Sequence, residues 1–196
     1  MLRLTLDTNC VIHAAQAQAY APQMAELRAL DRDGRLRLWI TEAFTVDQEH
    51  ASADKHHLNV AWLSEQPVIE RVPGPCRRGY SRRDGPDLRT DAAAAAADAA
   101  LREILLPGKA TAASRRKITD VQHLTAHYMA GHDAFVSSDH DDMLRKREVI
   151  RGRTGIVIVD PVEAVRMATT SRPDRAPLAP AARPGNGRET ARVSFR

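Results

Sequence analysis

The chain of 196 residues is long enough for one α/β domain with its own hydrophobic core but hardly for two domains. An apolar fraction of 43% excludes a chain that is disordered throughout, and an aromatic fraction of only 4% argues against a binding surface built on base stacking. The formal net charge of +4 suits a polyanionic partner.

The first half of the chain alternates between predicted strands and predicted helices. Apolar patterning between turn residues predicts buried strands at Leu2–Leu6, Arg35–Ile40 and Pro67–Val72. An alanine-rich helical stretch runs from about Val11 to Leu30, and Pro22 either interrupts it or begins a second helix. Thr41 can cap a further helix that runs towards Leu63.

The second half continues the same alternation. Helices are predicted at Asp91–Leu106, Ser114–Met129, Asp141–Ile150 and Pro161–Ala168, and strands at Ala134–Ser137 and Gly155–Val159. Strands that alternate with helices favour a parallel sheet whose two faces are both covered. The predicted fold class is therefore α/β, a three-layer sandwich with a central parallel sheet and helices on both faces.

Two segments fall outside this pattern. Residues 73–91 combine proline and glycine with five arginines, and we interpret them as a basic surface loop that either holds an RNA backbone or is only solvated surface. Residues 171–196 are rich in proline and arginine and poor in large apolar side chains, which predicts a disordered tail. One domain over residues 1–170 is the resulting expectation. The arginines of the loop are Arg77, Arg78, Arg82, Arg83 and Arg89.

Nitrogen and sulfur ligands do not form a recognisable metal site in this sequence. Cys10 and Cys76 are the two cysteines, too few for a disulfide framework or a four-cysteine zinc site. His123 and His127 have the i, i+4 spacing of a helical metal pair, but no third ligand accompanies them. We interpret both histidines as packing or surface residues.

The sequence shows no sign of membrane insertion or secretion. No apolar stretch approaches the roughly 20 residues that a membrane-spanning helix needs. The N-terminal residues MLRLTLD lack the apolar segment of a secretory signal. A cytoplasmic protein without a membrane partner is the expectation.

Four aspartates lie where a parallel sheet gathers its ligands. Asp7 and Asp139 follow predicted strands, Asp120 lies near the start of a predicted helix, and Asp47 lies early in the helix after the second strand. A single aspartate in such a place is more often a turn or helix-cap residue, so the prediction depends on all four agreeing. Clustered carboxylates repel each other unless a hard cation such as Mg²⁺ or Mn²⁺ neutralises them. Two such ions about 4 Å apart can activate water and stabilise the leaving oxygen of a phosphodiester.

Several stretches resemble the motifs of PIN-domain nucleases. Leu4–Asn9 (LTLDTN) is similar to the opening motif of that family. Asp120–Ala126 (DVQHLTA) and Gly131–Asp139 (GHDAFVSSD) resemble its third and fourth acidic motifs nearly position for position, and Gly155–Pro161 (GIVIVDP) fits its ending. The resemblance covers roughly residues 1–168. It implies a Rossmann-like PIN fold that cleaves RNA with Mg²⁺ or Mn²⁺.

The resemblance also implies roles for individual residues. Asp7, Asp120 and Asp139 match the metal-binding acids of PIN domains. Asn9 and Ser137 match polar positions that support the site, and serine replaces the commoner threonine at residue 137. These five residues form the core of the predicted site.

The second acid of the family motif is where this sequence departs from the pattern. PIN domains usually place glutamate in the helix after the second strand, but the spacing from Ile40 puts Asp47 there. Glu49 and Glu42 are its rivals. Side chains two residues apart on a helix point in different directions, so Asp47 and Glu49 cannot both be easy ligands. We predict Asp47 as the fourth acid.

Other functions remain as alternatives to the nuclease. A haloacid-dehalogenase-like phosphohydrolase would need a second aspartate where Asn9 stands, and a receiver-like module would need a lysine where Val159-Asp160-Pro161 ends the last strand. A degenerate PIN domain could act as a non-catalytic RNA- or protein-binding scaffold.

Small PIN proteins often resemble the VapC-type toxins of toxin–antitoxin pairs, which commonly dimerise. This likeness implies an RNA substrate, a cognate antitoxin and a homodimer by analogy. The chain is longer than a minimal toxin of that type, so a housekeeping nuclease is an alternative role.

Overall fold

The described residues form one sheet of five strands that all run in the same direction. The computed structural model describes residues 1–48, 52–65, 69–75, 91–106, 108 and 115–170. The strands are β1 (Leu2–Leu6), β2 (Leu36–Thr41), β3 (Glu70–Val72), β4 (Ala134–Val136) and β5 (Ile158–Val159). Their order across the sheet is β3-β2-β1-β4-β5, so β1 is central and pairs with both β2 and β4.

This strand order creates a crevice between the ends of β1 and β4. From β1 the chain builds outwards through β2 to β3, and then returns to the other side of β1 with β4 and β5. Such a reversal of direction is a topological switch point, and open parallel sheets bind their ligands at the carboxyl ends of the strands beside it. The residues that directly follow β1 and β4 therefore have the position of a functional site.

Helices cover both faces of the sheet. They are α1 (Thr8–Ala15), α2 (Ala21–Arg32), α3 (Ala43–Gln48), α4 (Ala53–Ser64), α5 (Ala92–Leu105), α6 (Arg115–Ala130), α7 (Arg145–Thr154) and α8 (Pro161–Thr170), with a π-helical turn at His140–Leu144. Leu4, Leu6 and Ile40 pack against α1, α2 and α8 on one face. Phe135 and Ile158 pack against α5, α6 and α7 on the other face. The predicted fold class is confirmed, and it is the architecture that the resemblance to PIN domains implied.

Polar residues interrupt the second face where α6 crosses β1 and β2. Thr5 of β1 contacts His127 of α6, and Thr41 of β2 contacts His123 of the same helix. All four side chains are buried. Because a buried polar group costs free energy unless it is hydrogen-bonded, these pairs fix how α6 lies on the sheet.

One of the two alternatives predicted for the stretch after β1 is confirmed, because Pro22 lies in the first turn of a second helix there. The single helix predicted from Thr41 to Leu63 was wrong, because that stretch forms two helices. Thr41 is the last residue of β2, and Ser52 has extended backbone before α4. Most of the basic loop (76–90), Glu49 and the tail (171–196) lie outside the described residues.

Within the described residues, no helix combines the length and the apolar character that crossing a membrane requires.

Candidate active site

Asp7 lies in the crevice between β1 and β4. It directly follows β1 and has extended backbone at the start of α1. Its backbone N–H donates to the Val136 carbonyl at 2.9 Å, which ties it to the end of β4. Its side chain is buried, and Asn9 Nδ2 donates to Asp7 Oδ2 at 3.4 Å. Burial raises the pKa of Asp7, although His123 and Ser137 act in the opposite direction.

Ser137 connects two of the predicted acids. Its hydroxyl donates to Asp7 Oδ2 at 2.7 Å and accepts from the Asp139 backbone N–H at 3.1 Å. The residue is fully buried at the end of β4, where its own N–H donates to the Val159 carbonyl at 3.0 Å. Ser137 therefore fixes the carboxylate of Asp7 relative to the loop that carries Asp139.

Asp139 begins the π-helical turn and is held by that turn. Its Oδ1 accepts from the backbone N–H groups of Asp141 and Asp142, both at 3.0 Å. Its Oδ2 lies 3.4 Å from Nη2 of Arg116, which comes from the first turn of α6. The predicted helix from Asp141 thus starts as a wider turn, a feature that often marks functional sites.

Asp120 lies in the second turn of α6 and is 9% exposed. Burial, followed by the negative charges of Asp7 and Asp139, raises the pKa of Asp120 to about 8, and His123 and Arg116 oppose the rise. Carboxylates influence one another in this way only when they are close, so Asp7, Asp120 and Asp139 form one electrostatic cluster.

Asp47 joins this cluster through a histidine. Asp47 Oδ2 accepts from Thr8 Oγ1 at 2.6 Å and contacts His123 Nε2 at 3.0 Å. On the other side of the ring, His123 Nδ1 contacts Thr41 Oγ1 at 2.6 Å. Burial opposes ionisation of Asp47, but the hydrogen bond and charge of His123 outweigh it and lower the pKa of the carboxyl. Burial also opposes protonation of His123, and Asp47 outweighs it and raises the pKa of the imidazole.

Glu42 and Glu49 are the two rivals of Asp47 for the position of the fourth acid. Glu42 Oε2 pairs with Arg71 on β3 at 3.3 Å and accepts from Thr45, so its carboxylate is already engaged by these two groups. Glu49 lies outside the described residues. Asp47 is the candidate whose charge reaches Asp7, so it remains our prediction for the fourth position.

Sequence reasoning missed three of the residues that hold the acids. His123 was discounted as packing or surface, although it lies three residues after Asp120 and therefore on the same side of the helix. Arg116 lies four residues before Asp120, also on that side. Thr8 is adjacent to Asp7 but reaches Asp47, which no local pattern predicts. The helical spacing around Asp120 was the signal that could have found the first two.

For His127 the packing interpretation agrees with the structure. Its Nδ1 contacts Thr5 Oγ1 at 2.9 Å, and His132 Nδ1 contacts the same hydroxyl at 2.8 Å. Burial, with smaller contributions from His132 and Arg3, lowers the pKa of His127 to about 3. Cys10 is likewise buried in the first turn of α1, as expected of a small apolar residue.

The donor set of the cluster fits a hard divalent cation. Its ligands would be carboxylate oxygens, and a cation would relieve the repulsion that raises the pKa of Asp120. In the described part of the chain, no three ligand-type side chains already lie close enough together to hold a metal. Carboxylates of the cluster bind protein groups instead. Asp7 accepts a hydrogen bond from Ser137, and Asp139 accepts one from Arg116. Binding a cation would therefore require some of these side chains to change partners.

Replacing Ser137 with alanine is expected to weaken both folding and the site. Asp7 would lose its buried donor and the Asp139 N–H its acceptor, so we expect a loss of about 1–2 kcal/mol in the free energy of unfolding. Urea unfolding at neutral pH measures this loss. The exposed Ser64, whose hydroxyl donates to the Ala61 carbonyl in its own helix turn, is the matched control, and Ser64→Ala should stay within about 0.5 kcal/mol of wild type. Equal losses in the two variants would contradict the linking role of Ser137.

In comparisons with known proteins, the chain shows a weak structural likeness to a solved complex. No protein-family model matches the chain, and no curated protein matches it. Among solved structures, the crystal structure of VapBC2 from Rickettsia felis bound to a DNA fragment from their promoter is similar to it, with a TM-score of 0.47 and 10% sequence identity. The match covers 81% of this chain and 98% of that one. The function proposed below therefore depends on the residues of this chain.

Proposed function

We propose that the protein is a metal-dependent endoribonuclease that hydrolyses RNA phosphodiester bonds at the crevice between β1 and β4. The observation that carries the proposal is the buried carboxylate of Asp120, whose pKa is raised to about 8 by burial and by the charges of Asp7 and Asp139. Perturbed carboxylates gathered at a topological switch point are typical of functional sites. The net charge of +4 suits a polyanionic substrate.

Each polar residue of the site has a part in this proposal. Asp7, Asp120 and Asp139 would hold Mg²⁺ or Mn²⁺, with Asp47 as a fourth acid. The bound ion would activate water and stabilise the leaving oxygen of the phosphodiester. Ser137 and Asn9 hold the carboxylate of Asp7 by donating to it, while His123 and Thr8 hold that of Asp47.

The test is cleavage of total RNA by purified protein with and without Mn²⁺, with the new ends mapped by sequencing. Asp139→Asn is the control, because the amide retains the size of the carboxylate but removes its charge. We expect metal-dependent cuts by the wild type that the variant does not make. Cuts that persist in Asp139→Asn would show a contaminating nuclease or a wrong site assignment.

A degenerate PIN domain that binds RNA or protein without cleaving is the second candidate. The observation that favours it is that the acids of the described chain do not already form a closed ligand set. Calorimetry with Mn²⁺ separates the two candidates, because the nuclease must bind the ion and the scaffold need not. Absence of both binding and cleavage would favour the scaffold.

We further propose the toxin role of a toxin–antitoxin pair for this nuclease, on the sequence resemblance to VapC-type proteins. It implies a cognate antitoxin, a homodimer and action in the cytoplasm. Expression of the protein alone should stop bacterial growth, and co-expression of a small reading frame adjacent to its gene should restore growth. Harmless expression of a protein that cleaves RNA in vitro would favour a housekeeping nuclease.

A further inference from the structure

Arg116 lies at the exposed mouth of the acidic cluster. Its guanidinium Nη2 is 3.4 Å from Asp139 Oδ2, and its side chain is 71% exposed whereas that of Asp139 is 9% exposed. The carboxylate is thus inside the site and the arginine covers it from the solvent side. A guanidinium in this place meets any anion that approaches the acids.

The charge of Arg116 acts on more than its direct partner. It opposes the rise in the pKa of Asp120, which lies one helical turn further along the same side of α6, and it contributes to the lowered pKa of Asp47. In the protein without a bound cation, Arg116 therefore supplies part of the positive charge that three of the four acids require.

A bound divalent cation would change the partner of Arg116. The cation and the guanidinium would compete for the carboxylate of Asp139, and a doubly charged ion would be the stronger partner for clustered carboxylates. An ion pair with so exposed an arginine contributes little to stability, so its exchange costs little. The released guanidinium keeps its charge and its planar set of donors, which suits the paired oxygens of a phosphate.

Two lysines extend the positive rim on the same side. Lys117 Nζ lies 3.5 Å and Lys146 Nζ 2.9 Å from Asp142 Oδ1, on the turn that follows Asp139. Both lysines pair with Asp142, so cationic side chains line this side of the acids together with Arg116. A strand of nucleic acid would meet these side chains before it reaches the acids.

We propose that Arg116 is a phosphate-binding residue that exchanges partners. It pairs with Asp139 in the metal-free protein, and it binds a backbone phosphate of the RNA when a divalent cation occupies the acids. This inference rests on the proposed nuclease function and names the residue that recognises the substrate backbone there. Arg116 acts here as a binding and positioning residue.

Two measurements test the exchange of partners, because Arg116→Ala should bind Mn²⁺ more tightly than wild type but bind nucleic acid more weakly. Calorimetry without nucleic acid should show that Arg116→Ala binds Mn²⁺ more tightly than wild type, by up to about fivefold, because a competing cation is gone. In Mn²⁺, fluorescence anisotropy with a short single-stranded deoxyoligonucleotide, chosen as an uncleavable ligand, should show weaker binding by Arg116→Ala. The slope of log affinity against log salt should become shallower by about 0.7, the value for one lost phosphate contact on a single strand.

Matched variants separate recognition from a general loss of charge. Arg116→Lys retains the charge but not the planar donors, so we expect the wild-type salt slope with an intermediate affinity. Arg153 is an exposed arginine that pairs with Glu103 at 2.7 Å on α5. Arg153→Ala removes the same charge away from the acids and should leave both the Mn²⁺ affinity and the salt slope close to wild type.

The outcomes distinguish this inference from the proposed function. If the wild type binds Mn²⁺ and cleaves RNA while Arg116→Ala behaves like Arg153→Ala, only the partner exchange is overturned. Weaker Mn²⁺ binding by Arg116→Ala would also overturn it, because the arginine would then support the ion site instead of competing for it. A wild type that neither binds Mn²⁺ nor cleaves RNA overturns both proposals.

Discussion

Asp120→Asn is expected to abolish RNA cleavage and, without divalent cations, to make the folded protein more stable. Removing a carboxylate that holds the ion should lower the cleavage rate by about 100-fold or more. The same carboxylate is buried beside Asp7 and Asp139, so its charge opposes folding when no cation is present. A residue placed for chemistry at a cost in stability is typical of active sites.

The stability gain should depend on pH in a defined direction. The pKa of Asp120 is about 8 in the folded protein, against about 3.9 in an unfolded chain. A raised pKa stabilises the folded state fully below the unfolded value, and that stabilisation is lost as the pH rises through the folded value. Wild type should therefore lose stability between about pH 4 and pH 8, and Asp120→Asn should lose less. The advantage of the variant near pH 8 should be several kcal/mol, on the order of 10 °C in Tm.

Thermal unfolding in a chelating buffer between pH 5 and 9 measures this effect. Asp33→Asn is the control, since Asp33 is exposed at the end of α2, before β2 and so at the opposite edge of the sheet. That variant should follow the wild-type pH profile. Saturating Mn²⁺ should remove or reverse the advantage of Asp120→Asn, because a ligand stabilises the protein that binds it. A variant that cleaves RNA normally, or that melts like wild type at every pH, would disprove the assigned role of Asp120.

His123→Phe is expected to destabilise the protein by about 2–4 kcal/mol and to impair cleavage as well. Phenylalanine fills a similar volume but leaves Thr41 and Asp47 without their ring partner. Asp47 would keep Thr8 as a donor but would lose the histidine ring that holds its carboxylate beside the other acids. The loss in cleavage is expected because a carboxylate that is free to turn is a poorer ligand or base.

The stability costs of His123→Phe and of His127→Phe should depend on pH in opposite directions. The raised pKa of His123 means that its stabilisation is fully present below about pH 6.5 and is lost as the pH rises through its folded pKa. The lowered pKa of Asp47 preserves the pair until the pH falls below about 3.9. The folded pKa of His127 is about 3, so its stabilisation is present above about pH 6.5 and is lost as the pH falls. The cost of His123→Phe should therefore grow on acidification from pH 8 to 5, and that of His127→Phe should shrink.

A double-mutant cycle isolates the contact between His123 and Asp47. His123→Phe, Asp47→Asn and the double variant are compared by urea unfolding at pH 6, and we expect a coupling of about 1 kcal/mol or more. A part-exposed Asp47 limits this coupling, since solvent screens the pair. Additive effects, or equal pH profiles for the two histidine variants, would mean that His123 only fills space beside Asp47.

The sequence by itself determined the fold class and the positions of most of the acids. Apolar strands that alternate with helices fit a parallel sheet with two covered faces, and the structure has that form. Asp7 and Asp139 follow β1 and β4 directly, so local pattern alone put both at strand ends. Strand ends are readable in this way because hydrophobic periodicity stops where the chain leaves the core.

Only the tertiary structure decided which groups these acids meet. Asp47 and His123 are 76 positions apart and Ser137 and Asp7 are 130 apart, yet each pair shares a hydrogen bond. No periodicity encodes such contacts, because they depend on the strand order and on how α6 lies over Thr5 and Thr41. The raised pKa of Asp120 arises in the same way, because desolvation and neighbouring charges exist only once distant segments have packed together.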